Sequence, residues 1–111
     1  MQRQKSPLRP LALIAGTAVI VGAALPAQAS EALAKKARCI ACHAVEKKMV
    51  GPAYRDVAAK YRNDPSAPAR LAEKVRHGGS GVWGQIPMAP NPVERISDAD
   101  LAAVIDWVLQ Q

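Results

Sequence analysis

Five consecutive residues, Cys39-Ile40-Ala41-Cys42-His43, hold the densest chemistry in the chain. On a helical turn positions i and i+3 share a face, so both sulfurs can reach the two vinyl groups along one side of a porphyrin. The next residue, His43, can then place an imidazole nitrogen on the iron. The spacing is that of covalent c-type haem attachment. Three other readings of two cysteines at this spacing were weighed. A thioredoxin-like redox pair needs a βαβ setting, and no strand pattern precedes Cys39. A structural zinc site needs a second Cys/His pair at ligand spacing, which is missing. A plain disulfide is the bland outcome in an oxidising compartment.

A haem with one protein ligand can bind small molecules or do oxygen chemistry, whereas one with two ligands is closed and mainly moves electrons. Met49, Met88 and His77 are the candidates for a second ligand. Met49 follows His43 by only six residues and would have to cross to the opposite face, so it reads better as packing. His77 reads as a polar residue at a helix end. Met88 lies 45 residues beyond His43, with prolines at 87 and 90 that keep its backbone extended and stiff. A lone Met is usually core filler, but a Met so presented beside a haem motif reads as the ligand. His/Met ligation raises the reduction potential, because the soft thioether favours Fe(II). The main alternative is a haem enzyme or gas sensor with an open iron position, against which Met88 argues.

The elements that must position these residues read as helices. Ser30 is placed to cap a helix over 31–41, with Leu33, Ala37 and Ile40 on one face and the haem motif closing it. Gly51-Pro52 breaks the chain, and Pro52 suits the first turn of a helix over 53–62 whose apolar face is Tyr54, Val57, Ala58 and Tyr61. Asn63-Asp64-Pro65-Ser66 is a turn. A third helix over 67–77 carries Leu71, Ala72 and Val75 inward and stops at Gly78-Gly79. Residues 80–96 show no helical period and read as a long functional loop. Ser97-Asp98-Ala99-Asp100 resembles a capping box and opens a last helix with Leu101, Val104, Ile105, Val108 and Leu109 in step. No strand is expected.

Residues 1–29 read as a secretory signal peptide. Arg3, Lys5 and Arg9 form its positive start, Leu11 to Leu25 its apolar run, and Ala27-Gln28-Ala29 its Ala-x-Ala cleavage site. The apolar run is shorter than the roughly 20 residues of a spanning helix, so a cleaved leader and a periplasmic protein, with no lasting membrane insertion, are expected. Removing three of fifteen basic residues leaves twelve against nine acidic ones, a charge of +3. Two ionised haem propionates would bring this to about +1. The clustered basic footprint of a nucleic-acid-binding protein is absent. The remaining 82 residues contain no Phe and form one small domain. Domains of that size usually carry a staple, and a buried haem would be one.

With these motifs in hand, the stretch 30–111 resembles a small bacterial class I cytochrome c of the cytochrome c-551 type. The resemblance rests on Cys39-x-x-Cys42-His43, Met49-Val50-Gly51-Pro52-Ala53-Tyr54, Gly81-Val82-Trp83-Gly84 and Ile86-Pro87-Met88. It implies an all-α class I cytochrome c fold, four short helices around one covalently attached haem c, with the terminal helices packed together. It implies thioethers at Cys39 and Cys42 and axial ligation by His43 and Met88. The Pro52 carbonyl would accept a hydrogen bond from His43, Trp83 would donate to a haem propionate, and Asn91 would lie near the Met88 sulfur. Lys74 stands where the family commonly has an Arg paired with a propionate, with Arg76 as an alternative partner. Gln85 and Ala89 replace prolines that are frequent in the family. The implied function is electron carriage rather than catalysis, by a monomer that docks transiently on periplasmic redox proteins: a reductase, an oxidase or a bc-type complex. Met49, Val50, Ile86, Pro87, Ala89 and Pro90 form an uncharged set around the haem-holding residues and read as the docking patch.

Overall fold

A computed structural model describes residues 10–20, 22 and 26–111. The expected leader residues Arg3, Lys5 and Arg9, and parts of the apolar run, lie outside the described residues. Residues 11–20 are exposed and form neither helix nor strand. Among the described residues no helix is long and apolar enough to cross a membrane.

Four α-helices account for most of the structure: α1 (Ala27–Lys36), α2 (Tyr54–Tyr61), α3 (Ala67–His77) and α4 (Asp98–Leu109). Helix α4 is the centre of the packing, touching each of the other three. Its apolar side buries Leu101, Val104, Ile105, Trp107 and Val108. Ala34 and Ala37 from the α1 segment and Tyr54 and Val57 from α2 close on them, so the terminal helices pack together. The Ser97 hydroxyl accepts from the Asp100 amide at 3.2 Å and starts α4 where its sequence pattern places the cap.

Three expectations are corrected. The first helix begins at Ala27, behind Pro26, and Ser30 is a buried residue within it rather than its cap. Ala-Gln-Ala is a strong helix-forming run, and it extends the helix by a turn. That helix also ends early, at Lys36. Arg38 then turns left-handed, with φ of +65°, and the haem motif occupies a separate 3-10 turn, Cys39–Ala41. Pro52 lies outside α2, whose first cap is Ala53.

A further correction concerns 80–96, which is not wholly irregular. β1 (Gly79–Gly81) and β2 (Gly84–Met88) form an antiparallel hairpin, with Gly79 opposite Met88 and Gly81 opposite Gly84. A Gly-Ser-Gly strand offers no apolar alternation to read, and its shape rests on glycines at positive φ. Pro87 is tolerated because each strand of a two-stranded sheet has a free edge.

Candidate functional site

The loop after the 3-10 turn folds back under the motif. The Gly51 amide donates to the Cys42 carbonyl at 2.8 Å, and the amides of Tyr54 and Arg55 donate to the carbonyls of Ala44 and Val45. This return brings Pro52 beside His43. The His43 Nδ1 lies 2.8 Å from the Pro52 carbonyl oxygen. A carbonyl can only accept, so Nδ1 carries the proton and the Nε2 lone pair is free for a metal. The Tyr54 ring stacks on the imidazole with centroids 5.2 Å apart and stands edge-on to Trp107 at 5.5 Å. Burial pushes the Tyr54 hydroxyl well above its ordinary pKa. A Cβ on Gly51 would sit 2.7 Å from His43 Nδ1 and 2.8 Å from Nε2. Only glycine allows the loop to pass that close to the imidazole.

Cys39, His43 and Met88 line one cleft, together with Pro52, Lys74 and Trp83. Its remaining walls are apolar: Val57, Leu71, Val75, Leu101, Val104, Ile105 and Val108, with Tyr54. Cys42 opens onto the adjoining groove, which again has Cys39, His43 and Met88 in its wall, and Asn91 with them. Cys39 is half-buried and Cys42 exposed, and no disulfide joins them, which leaves both sulfurs for a covalent group. Among the described residues no three His, Cys, Asp or Glu gather as a metal cluster.

The donor set fits a haem. Cys39, an imidazole with a free nitrogen and the Met88 thioether line one apolar slot together with Lys74 and Trp83, and Cys42 opens onto the groove beside it. The core also has room for such a group. No large side chain among the described residues is fully buried, and Leu71 and Val75, the inward residues of α3, remain partly open.

Around this slot the remaining predicted residues take distinct places. Lys60 holds its ammonium 5.8 Å from the Trp83 ring centroid. Asn91 is buried, and its side-chain amide donates to the carbonyls of Ala89 at 3.0 Å and Val75 at 3.3 Å. His77 is exposed and bonded to Glu73, a helix-end residue away from the cleft. Arg76, the alternative to Lys74 for a propionate, donates its guanidinium hydrogens to the carbonyls of Asn91 and Ile96 and to Asp98. Sequence reasoning missed the close fit at Gly51, seen there only as a chain break. It also missed Gly78, whose φ is +68° and whose missing Cβ leaves room for the Pro90 nitrogen and the Met88 carbonyl.

Comparison with known proteins gives concordant matches. The cytochrome c family model matches residues 27–111. Cytochrome c-552 of Nitrosomonas europaea is 58% identical over 83 residues, covering 75% of this chain and 79% of that protein. Cytochrome c-551 of Pseudomonas aeruginosa is 43% identical over 106 residues, covering 94% of this chain and 99% of that one. The crystal structure of wild-type Nitrosomonas europaea cytochrome c552 superposes with a TM-score of 0.67 at 56% identity, over 72% of this chain and 96% of that structure.

Proposed function

The chain belongs to the cytochrome c family, and we propose that it is a periplasmic carrier whose haem is ligated by His43 and Met88. Membership makes it an electron carrier with one covalently held haem c, and not an enzyme. When bound, the haem supplies an iron that alternates between Fe(II) and Fe(III).

The chain's own residues hold and tune it. Cys39 and Cys42 would hold the haem through thioethers. His43 presents Nε2 while Pro52 holds its other nitrogen, which sets both the tautomer and the ring plane. Met88, at the end of β2, offers a soft sulfur that favours the reduced state. Lys74 and Trp83 provide donors for propionates. The apolar walls keep water from the ring. A ligand set kept in both oxidation states limits rearrangement on electron transfer. The observation that carries this reading is the meeting of Cys39, His43 and Met88 in one apolar cleft, although Met88 is 45 residues from the motif.

Met88→Ala tests it. The variant should lose the Met–Fe(III) charge-transfer absorption, bind added cyanide readily and show a lower reduction potential. Retention of that band in Met88→Ala would falsify the ligand assignment. Export is supported by the leader pattern, and N-terminal sequencing of the exported protein should begin at Ser30.

A further inference from the structure

The segment that carries Met88 runs on to α4 without regular structure, and such a segment ordinarily opens easily. Here it is tied to the end of α3. The Asn91 amide donates to the carbonyls of Val75 at 3.0 Å and Arg76 at 3.2 Å, which are otherwise unpaired helix-end acceptors. The Asn91 side chain adds the bond to Val75 already described.

Arg76 closes the other side. Its side chain is only 14% exposed. One terminal nitrogen donates to the Asn91 carbonyl at 3.0 Å and to the Ile96 carbonyl at 2.7 Å. The other donates to Asp98 Oδ1 at 2.6 Å, in the first turn of α4. One guanidinium therefore joins α3, the segment three residues past Met88 and the start of α4. These are charge-assisted bonds in a fork that lysine cannot reproduce.

We propose that Arg76 is a positioning residue for the distal ligand: it clamps Asn91 to the end of α3 and so holds the Met88 thioether in place. The inference rests on Met88 being the second ligand. A thioether is a weak partner for Fe(III), so its occupancy depends on how rarely its segment opens. The clamp acts on that opening and leaves the helical core alone.

The test uses the ferric haem-loaded protein, with Arg76→Lys and Arg76→Met beside Met88→Ala. Losing charge-assisted bonds to a local clamp should raise the open population by about tenfold or more. Cyanide binding and exchange of the Asn91 amide hydrogen should both accelerate by that factor in Arg76→Met and less in Arg76→Lys. The Val104 and Ile105 amides of α4 should exchange as in the wild type. Unchanged cyanide binding, or acceleration of Asn91 and the α4 amides together, overturns the proposal, since the second pattern is general destabilisation. If Met88→Ala keeps the charge-transfer band, the ligand assignment fails and the clamp's role fails with it. If Met88→Ala loses the band while Arg76→Met changes neither rate, the ligand stands and the clamp alone is refuted.

Discussion

His43 is fixed from three directions: a carbonyl on Nδ1, a tyrosine ring against its face and a backbone that lies almost on the imidazole. The last constraint is the least forgiving. A methyl at Gly51 must displace either the imidazole or the loop that carries Pro52. Gly51→Ala should therefore cost about 1–3 kcal/mol of stability, as overpacking does elsewhere, and should disturb the His43 Nδ1 proton resonance in the haem-loaded protein. Denaturant titration and proton NMR check it. A variant of unchanged stability with that resonance in place would show that the loop yields freely.

At the scale of elements, α3 depends on the turn before it. The Asp64 carboxylate accepts from the Ser66 amide at 2.9 Å and the Ser66 hydroxyl at 2.6 Å, and it pairs with Arg70. The Ser66 bonds, more than the arginine, hold its pKa below the ordinary 3.8. A depressed acid stabilises the folded state while it is ionised. Its contribution is complete above the unfolded value and disappears as the pH falls through the lower folded value. Asp64→Ala should thus lower the urea midpoint at neutral pH, and the gap from wild type should close under acid conditions below pH 3.8. A gap independent of pH would mean that the charge of Asp64 has no part in the turn. That turn starts the helix whose last turn carries Arg76.

Taken as a whole, the molecule leaves an apolar rim where its haem-holding segments meet solvent. Met49, Val50 and Ile86 are 43%, 52% and 66% exposed. Pro87, Ala89 and Pro90 are exposed beside them. With the proposed leader removed and a haem gained, the net charge would be about +1, and long-range steering toward a partner would then be weak. Transient redox contacts bury less than about 1,200 Å², an area such a rim can supply. Val50→Lys and Ile86→Lys should slow electron transfer to a periplasmic oxidoreductase with the haem spectrum unchanged. The wild-type rate should vary only modestly with ionic strength. A steep salt dependence, with indifference to both substitutions, would instead place docking at Lys35, Lys36, Lys47 and Lys48.

The sequence by itself determined the parts whose physics is local. Cys39, Cys42 and His43 are set by chain spacing alone. Helices α3 and α4 follow from apolar periods and from a Ser97 cap that sits three residues from the Asp100 amide that donates to it. Tertiary structure decided what depends on residues distant along the chain. The hairpin of β1 and β2 has no apolar alternation, because glycine conformation and cross-strand bonds shape it. The left-handed Arg38 separates the motif from α1, and nothing in an Ala-rich run foretells where a helix will stop. Arg76 was the hardest to place. A basic residue in the last turn of a helix is as suited to a propionate as to a carbonyl. Its choice was made by Asn91 and Ile96, 15 and 20 residues on, once the fold had brought their carbonyls within its reach.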